Sequence, residues 1–289
     1  MDKQKRHTKS NEQDFLRSIF WPEGKKYKIS LIDDYRYAID QAFKDMNVRT
    51  LIVVDKNQTG EDRKNCFYKD SEIEIRLHNY IHNGIGAPFK SFDEWHKDTC
   101  IRIQKALSSH YKGVKYGKAQ KLLNMSFKYL YCFDGIDDEI KNKFGPCHMA
   151  LDSYILNWVK SDVLPWYNNK LKDEGKTKIQ IGLINDKYTW SNLKSSDNEQ
   201  EYSYQWFKKI IGDYLEENYL AHSYKTEDNK PLTPFEAEFY IWPEQQWKEA
   251  SKKLLGLKES MIALASQSKP ENFDEISKLI KEINSKLNL

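Results

Sequence analysis

Acidic residues are absent from one long stretch of this 289-residue chain. Arg102, Lys105, Lys112, Lys115, Lys118, Lys121 and Lys128 lie between Arg102 and Phe133 without one Asp or Glu. The stretch therefore holds +7, while the remaining 257 residues carry 39 basic and 43 acidic side chains, a net of -4. The whole-chain total of +3 hides that division. Ordinary solvated faces mix both signs, so a one-signed stretch favours an anionic ligand. Other absences exclude whole classes. No run of about 18 uncharged apolar residues occurs, which excludes a membrane-spanning helix. The N-terminus is charged and no apolar run follows it, so a secretory signal is not expected and a cytoplasmic protein is. Cys66, Cys100, Cys132 and Cys147 are the only cysteines and form no C-x-x-C pair, which fits reduced thiols. There is no G-x-x-x-x-G-K-[ST], and Gly84-Ile85-Gly86 lacks the third glycine and preceding strand of a dinucleotide site. No cofactor is expected.

What is present is enough to fold: 39% hydrophobic and 13% aromatic residues exclude a disordered chain. Residues 1–11 read as a disordered basic tail and 12–90 as a mostly helical N-terminal region. Within it, Ser30 can cap a helix through about Asp45 carrying Leu31, Tyr35, Ala38, Ile39 and Phe43. Leu51 to Val54 reads as a short strand, and Ile73, Ile75 and Leu77 fit a strand and a helix equally. Residues 91–175 form the best-defined unit. Ser91-Phe92-Asp93-Glu94 has capping-box spacing and starts a helix towards Leu107. A turn over Tyr111 to Gly117 follows, then a helix whose face carries Ala119, Leu122, Leu123, Phe127 and Leu130. A third helix is expected from near Met149, with Pro165 breaking or restarting it. Residues 176–289 read as a C-terminal helical region packed on that core, with Ile179 to Ile184 as a lone strand or buried linker and helical patterns at about 200–220, 244–266 and 273–287. The expected fold is mainly α: a helix-hairpin-helix core with added N- and C-terminal helices and room for one short strand pair.

The turn places glycines, backbone amides and lysines where a helix begins, an arrangement suited to phosphate. Lys112, Gly113, Lys115, Tyr116, Gly117, Lys118 and Lys121 are its candidate nucleic-acid contacts. With Gly113-Val114-Lys115-Tyr116-Gly117-Lys118-Ala119 and then Leu151-Asp152-Ser153-Tyr154-Ile155-Leu156, residues 91 to 160 resemble the helix-hairpin-helix DNA glycosylases, in particular the archaeal-type oxoguanine enzymes. The resemblance implies that Asp152 stabilises oxocarbenium character on the sugar, and that the hairpin grips DNA while a base is extruded. The family's second glycine is here Lys115, its lysine is Gly117 and its histidine is Tyr154. A Schiff-base nucleophile would therefore be Lys118 or Lys115. Tyr154, His148 and Trp158 are the candidates for the base pocket.

Bland readings stand beside these. Asp152 alone reads as a helix-capping carboxylate, and Trp158 at helical spacing from Ile155 and Leu151 reads as core. His78, His82 and Glu74 share a helical face, yet the H-E-x-x-H order is absent and no metal is expected. The leading expectation is a base-excision enzyme, an N-glycosylase with or without lyase activity, acting on DNA and with RNA a further partner. The alternatives are a non-catalytic nucleic-acid-binding module and an effector of a bacterial or phage defence system.

Overall fold

Sixteen consecutive residues, Tyr116–Tyr131, form a helix that is buried on every side. The rest of the fold is arranged around it. The computed structural model describes residues 11–13, 15, 32–46, 51–55, 57–133, 136–184, 186–195, 201–222, 224–226, 228–267, 277–278 and 281. The expected tail over 1–11 lies outside these residues apart from Asn11, as does the pattern at 273–287 apart from positions 277, 278 and 281.

Along the chain, α1 (Ile32–Asp45) is followed by β1 (Ile52–Val53), α2 (Gly60–Ser71), α3 (Ile73–Asn83), α4 (Phe92–Ser108), β2 (Tyr111–Lys112) and α5 (Tyr116–Tyr131). Then come α6 (Asp138–Asn142), α7 (Ser153–Trp158), a π-helical turn (Val159–Val163), α8 (Leu164–Asp173), two 3-10 turns (Ile181–Leu183 and Trp190–Asn192), α9 (Tyr204–His222) and α10 (Pro234–Gln267). The protein is mainly helical. Its short sheet pairs β1 antiparallel to β2, with Ile52 opposite Lys112 and Val53 opposite Tyr111.

Local chemistry explains most boundaries. Thr59 caps α2 in a reciprocal box with Asp62. The Ile73 to Leu77 ambiguity resolves as helix because Ile73, Leu77, Tyr80 and Ile81 are buried at helical spacing, whereas Ile75 is exposed. Ser91 Oγ accepts from the Glu94 amide at 3.2 Å, but the Glu94 carboxylate takes the Lys90 amide at 2.8 Å, so the expected box is only half made. Pro165 does not break the chain's helical path. Having no amide proton, it is tolerated in the first turn of α8, after the π turn has shifted the hydrogen-bond register. The stretch expected as a lone strand or linker contains the 3-10 turn Ile181–Leu183.

The third helix starts at Ser153 and not near Met149. Residues 149–151 are instead buried without regular secondary structure, and side chains satisfy their backbone. Gln120 bonds both the carbonyl and the amide of Leu151, Asn124 donates to the Met149 carbonyl, and Glu238 accepts from the Ala150 amide at 2.7 Å. The polar residues of α5 thus hold the segment that delivers Asp152.

The chain divides into two compact units, Met1–Trp242 and Pro243–Leu289. The division falls at Pro243, inside α10. Among the described residues no helix is long and apolar enough to cross a membrane.

Candidate functional site

The hairpin joins α4 to α5 through β2 and Gly113, whose φ of 67° is the left-handed backbone that glycine adopts freely. Gln104 donates to the Val114 carbonyl at 3.2 Å and closes the turn. The seven cations of the one-signed stretch then separate. Lys105, Lys112 and Lys115 are exposed, with no ion-pair partner among the described residues. Arg102 is exposed but pairs with Asp98 at 3.1 Å and Glu72 at 3.5 Å. Lys118, Lys121 and Lys128 point inward and are buried, as is Tyr116. Burial pushes the Lys118 ammonium down from its ordinary pKa. The expectation that Tyr116, Lys118 and Lys121 line the surface for phosphate is therefore corrected: α5 is central, and every face of it is covered.

The start of α5 is covered too. The Gly117 amide donates to the Leu193 carbonyl at 3.0 Å. A Cβ at Gly117 would stand 1.8 Å from the Trp190 carbonyl oxygen. Gly117 is thus a close-packing glycine beneath the Trp190–Asn192 turn, and the chain's own carbonyl sits where a phosphate was expected.

Asp152 pairs with Lys121, one turn further along α5 than Gly117. Lys121 Nζ is 3.3 Å from Asp152 Oδ2, and Trp242 Nε1 donates to the same oxygen at 2.9 Å. Oδ1 caps α7 by accepting from the amides of Tyr154 and Ile155 at 3.0 and 3.1 Å. Both oxygens are engaged and Asp152 is only 3% exposed. Trp190 closes the other side, its ring centroid 4.8 Å from Lys121 Nζ. Asp45 joins this centre from the end of α1, accepting from Tyr129 Oη at 2.7 Å. Burial raises its carboxyl to about 6, against the pull of Tyr129 and Lys121. No family model, curated protein or solved structure matches this chain.

The base-pocket candidates do not gather around Asp152. Trp158 is core, edge-on to Tyr214 and Tyr224. Tyr154 is half-buried and meets Trp242 edge-on at 5.0 Å. His148 belongs to a separate line of hydrogen bonds. Lys208 donates to Asp93 Oδ2 at 2.5 Å, and Asp93 Oδ1 is 2.6 Å from His148 Nε2. His148 Nδ1 is 2.9 Å from Tyr204 Oη, Asn124 donates to Tyr204 Oη at 3.1 Å, and His96 Nε2 is 2.7 Å from Asn124 Oδ1. Cys100 Sγ ends the line, 3.7 Å from His96 Nδ1. One assignment of protons satisfies every member: both histidines neutral with the proton on Nε2, Tyr204 donating to His148 and the thiol donating to His96. The directions of the pKa shifts agree. Burial pushes both histidines below the ordinary value and raises the Cys100 thiol and Tyr204, while His148 and Lys208 hold Asp93 well down. A pocket large enough only for a water lies beside the line, lined by His148, Tyr204 and Lys208, and a wider depression lies over Tyr131, Phe144 and Phe235. Neither is lined by Asp152 or Lys121.

The face of Glu74, His78 and His82 is otherwise employed. Glu74 pairs with Arg36 at 2.5 Å, and His82 Nε2 meets Tyr35 Oη at 3.2 Å. Among the described residues no group of three potential ligands could hold a metal ion. Sequence reasoning missed Asp45, Tyr129, Trp190, Trp242 and Glu238. Tyr129 lies on α5 itself, whereas Asp45, Trp190, Trp242 and Glu238 reach the site from elements distant in sequence, and no spacing rule joins those four to α5.

Proposed function

We propose that this chain is a nucleic-acid-binding module that holds strand phosphates with Lys105, Lys112 and Lys115. The observation carrying this reading is that these three cations follow one another along the end of α4, β2 and the turn, all exposed and without acidic partners among the described residues. Phosphate contacts of this kind position a strand without reading its sequence. The remaining basic residues of the stretch serve the interior or neighbouring acids. Each phosphate neutralised on duplex DNA adds about 0.9 to the slope of log affinity against log salt. Three contacts give a slope of about 3, against about 6 if all seven cations were engaged. Titrating a labelled duplex across a salt series reads the number directly. A slope near 6, or binding indifferent to salt, would contradict the assignment.

A second reading, base excision, is favoured by one observation, the Lys121 to Asp152 pair at 3.3 Å. It needs Trp242 or the Trp190–Asn192 turn to move, because Asp152 is covered and both its oxygens are occupied. Incubation with duplexes bearing damaged bases, followed by alkali, tests it. Strand breaks that vanish in Asp152→Asn would establish excision. Binding without breaks leaves the module. A borohydride adduct, if formed, should depend on Lys121 rather than on Lys118 or Lys115.

A further inference from the structure

The C-terminal unit begins at Pro243, and α10 continues through it to Gln267. Positions 247, 250, 254, 257, 261 and 264 are Trp, Ala, Leu, Leu, Met and Leu. They alternate by three and four, the spacing of a helix seam that packs against another helix. Leu255 and Ile262 widen that seam on one flank. Where the structure describes it, Trp247 is 57% and Leu257 60% exposed, Ala250 and Leu254 between them are half-buried, and Leu255 on the flank is 42% exposed. Large apolar side chains clustered on one face mark an interaction surface.

The residues flanking the seam select the partner. Lys253 and Lys258 occupy its two edges. In a parallel pair, each Lys253 would face Lys258 of the other helix, twice over. In an antiparallel pair of identical helices, position 253 faces 260, a serine, and 258 faces 251, also a serine. The lysine clash disappears. Layer by layer, the same register sets 247 against 264, 250 against 261 and 254 against 257, so that Trp meets Leu and Ala meets Met. A parallel pair would stack Trp on Trp and leave a void between two alanines. An antiparallel pair is also two-fold symmetric and self-complementary, the commonest closed assembly.

We propose that α10 from Pro243 onward pairs antiparallel with the same segment of a second copy of this chain. The test is sedimentation of the full chain over a dilution series. The wild type should sediment at twice the chain mass at high concentration and dissociate on dilution. Leu254→Glu with Leu257→Glu should be monomeric, with an unchanged far-ultraviolet circular dichroism spectrum. Ser260→Glu, which puts a carboxylate opposite Lys253 only in the antiparallel register, should tighten the dimer by a few-fold. A wild type that stays monomeric overturns the proposal, and a monomer that loses thermal stability on Leu257→Glu would assign the seam to residues 273–287 of its own chain. A dimer unaffected by Leu254→Glu with Leu257→Glu, or not tightened by Ser260→Glu, overturns the antiparallel seam.

Discussion

Lys128 is fully buried, and an isolated ammonium in that place would be prohibitive. It is tolerated because Glu238 stands 3.2 Å away, the Phe235 carbonyl accepts from it, and the rings of Phe235 and Phe239 lie 4.0 and 4.3 Å from Nζ. Burial drives both partners towards neutrality, raising Glu238 to about 7 and lowering Lys128. A carboxyl whose folded pKa lies above its unfolded value contributes stability that is complete below the unfolded pKa and lost as pH rises through the folded one. For Glu238 that window runs from 4.5 to about 7. Glu238→Gln should therefore cost little at low pH, where the wild-type carboxyl is already protonated. Above neutrality that cost should shrink further or turn into a gain, because the wild-type carboxyl must then ionise in the interior and the amide cannot. Urea denaturation at the two pH values measures this; an equal difference at both would show that the Glu238 pKa does not rise on folding. None of this pairing was legible beforehand. Lys118, Lys121 and Lys128 recur at helical spacing and read as a solvated stripe, and only the elements packed over α5 turn them inward.

At the scale of elements, the hairpin was legible and its covering was not. The helices α1, α4 and α5 follow from apolar periodicity and, for α4, the Ser91 cap, all of which are local signals. β2 lies in residues that read only as turn, because its partner β1 is 60 positions away by the Ile52 to Lys112 register. The Trp190–Asn192 turn that closes α5 carries no periodicity at all, yet it explains why position 117 is glycine. Gly117→Ala would drive a methyl group into the Trp190 carbonyl and break the Gly117 to Leu193 bond. Backbone must shift to admit it, and a loss of about 2 to 3 kcal/mol is expected, within the range of steric core substitutions. Limited trypsin digestion should then cleave faster at Lys187 and Lys194, which flank the turn and are exposed. Unchanged stability and cleavage would mean that the turn is held by other contacts.

Across the whole molecule, charge has two different jobs. One set of cations meets solvent at Lys105, Lys112 and Lys115; another, on α5, balances Asp152 and Glu238 inside. The split of +7 against -4 was visible in the sequence. Which lysines face outward was not, since that depends on tertiary covering of α5. Asp152 is engaged as a helix cap and as the ion-pair partner of Lys121, not of the expected Lys118 or Lys115. The most direct test compares duplex binding by Lys105→Ala/Lys112→Ala/Lys115→Ala with binding by the wild type at one low salt concentration, after confirming equal thermal stability. Loss of binding with the fold unchanged is the predicted result. Retained binding by the triple variant would contradict the account.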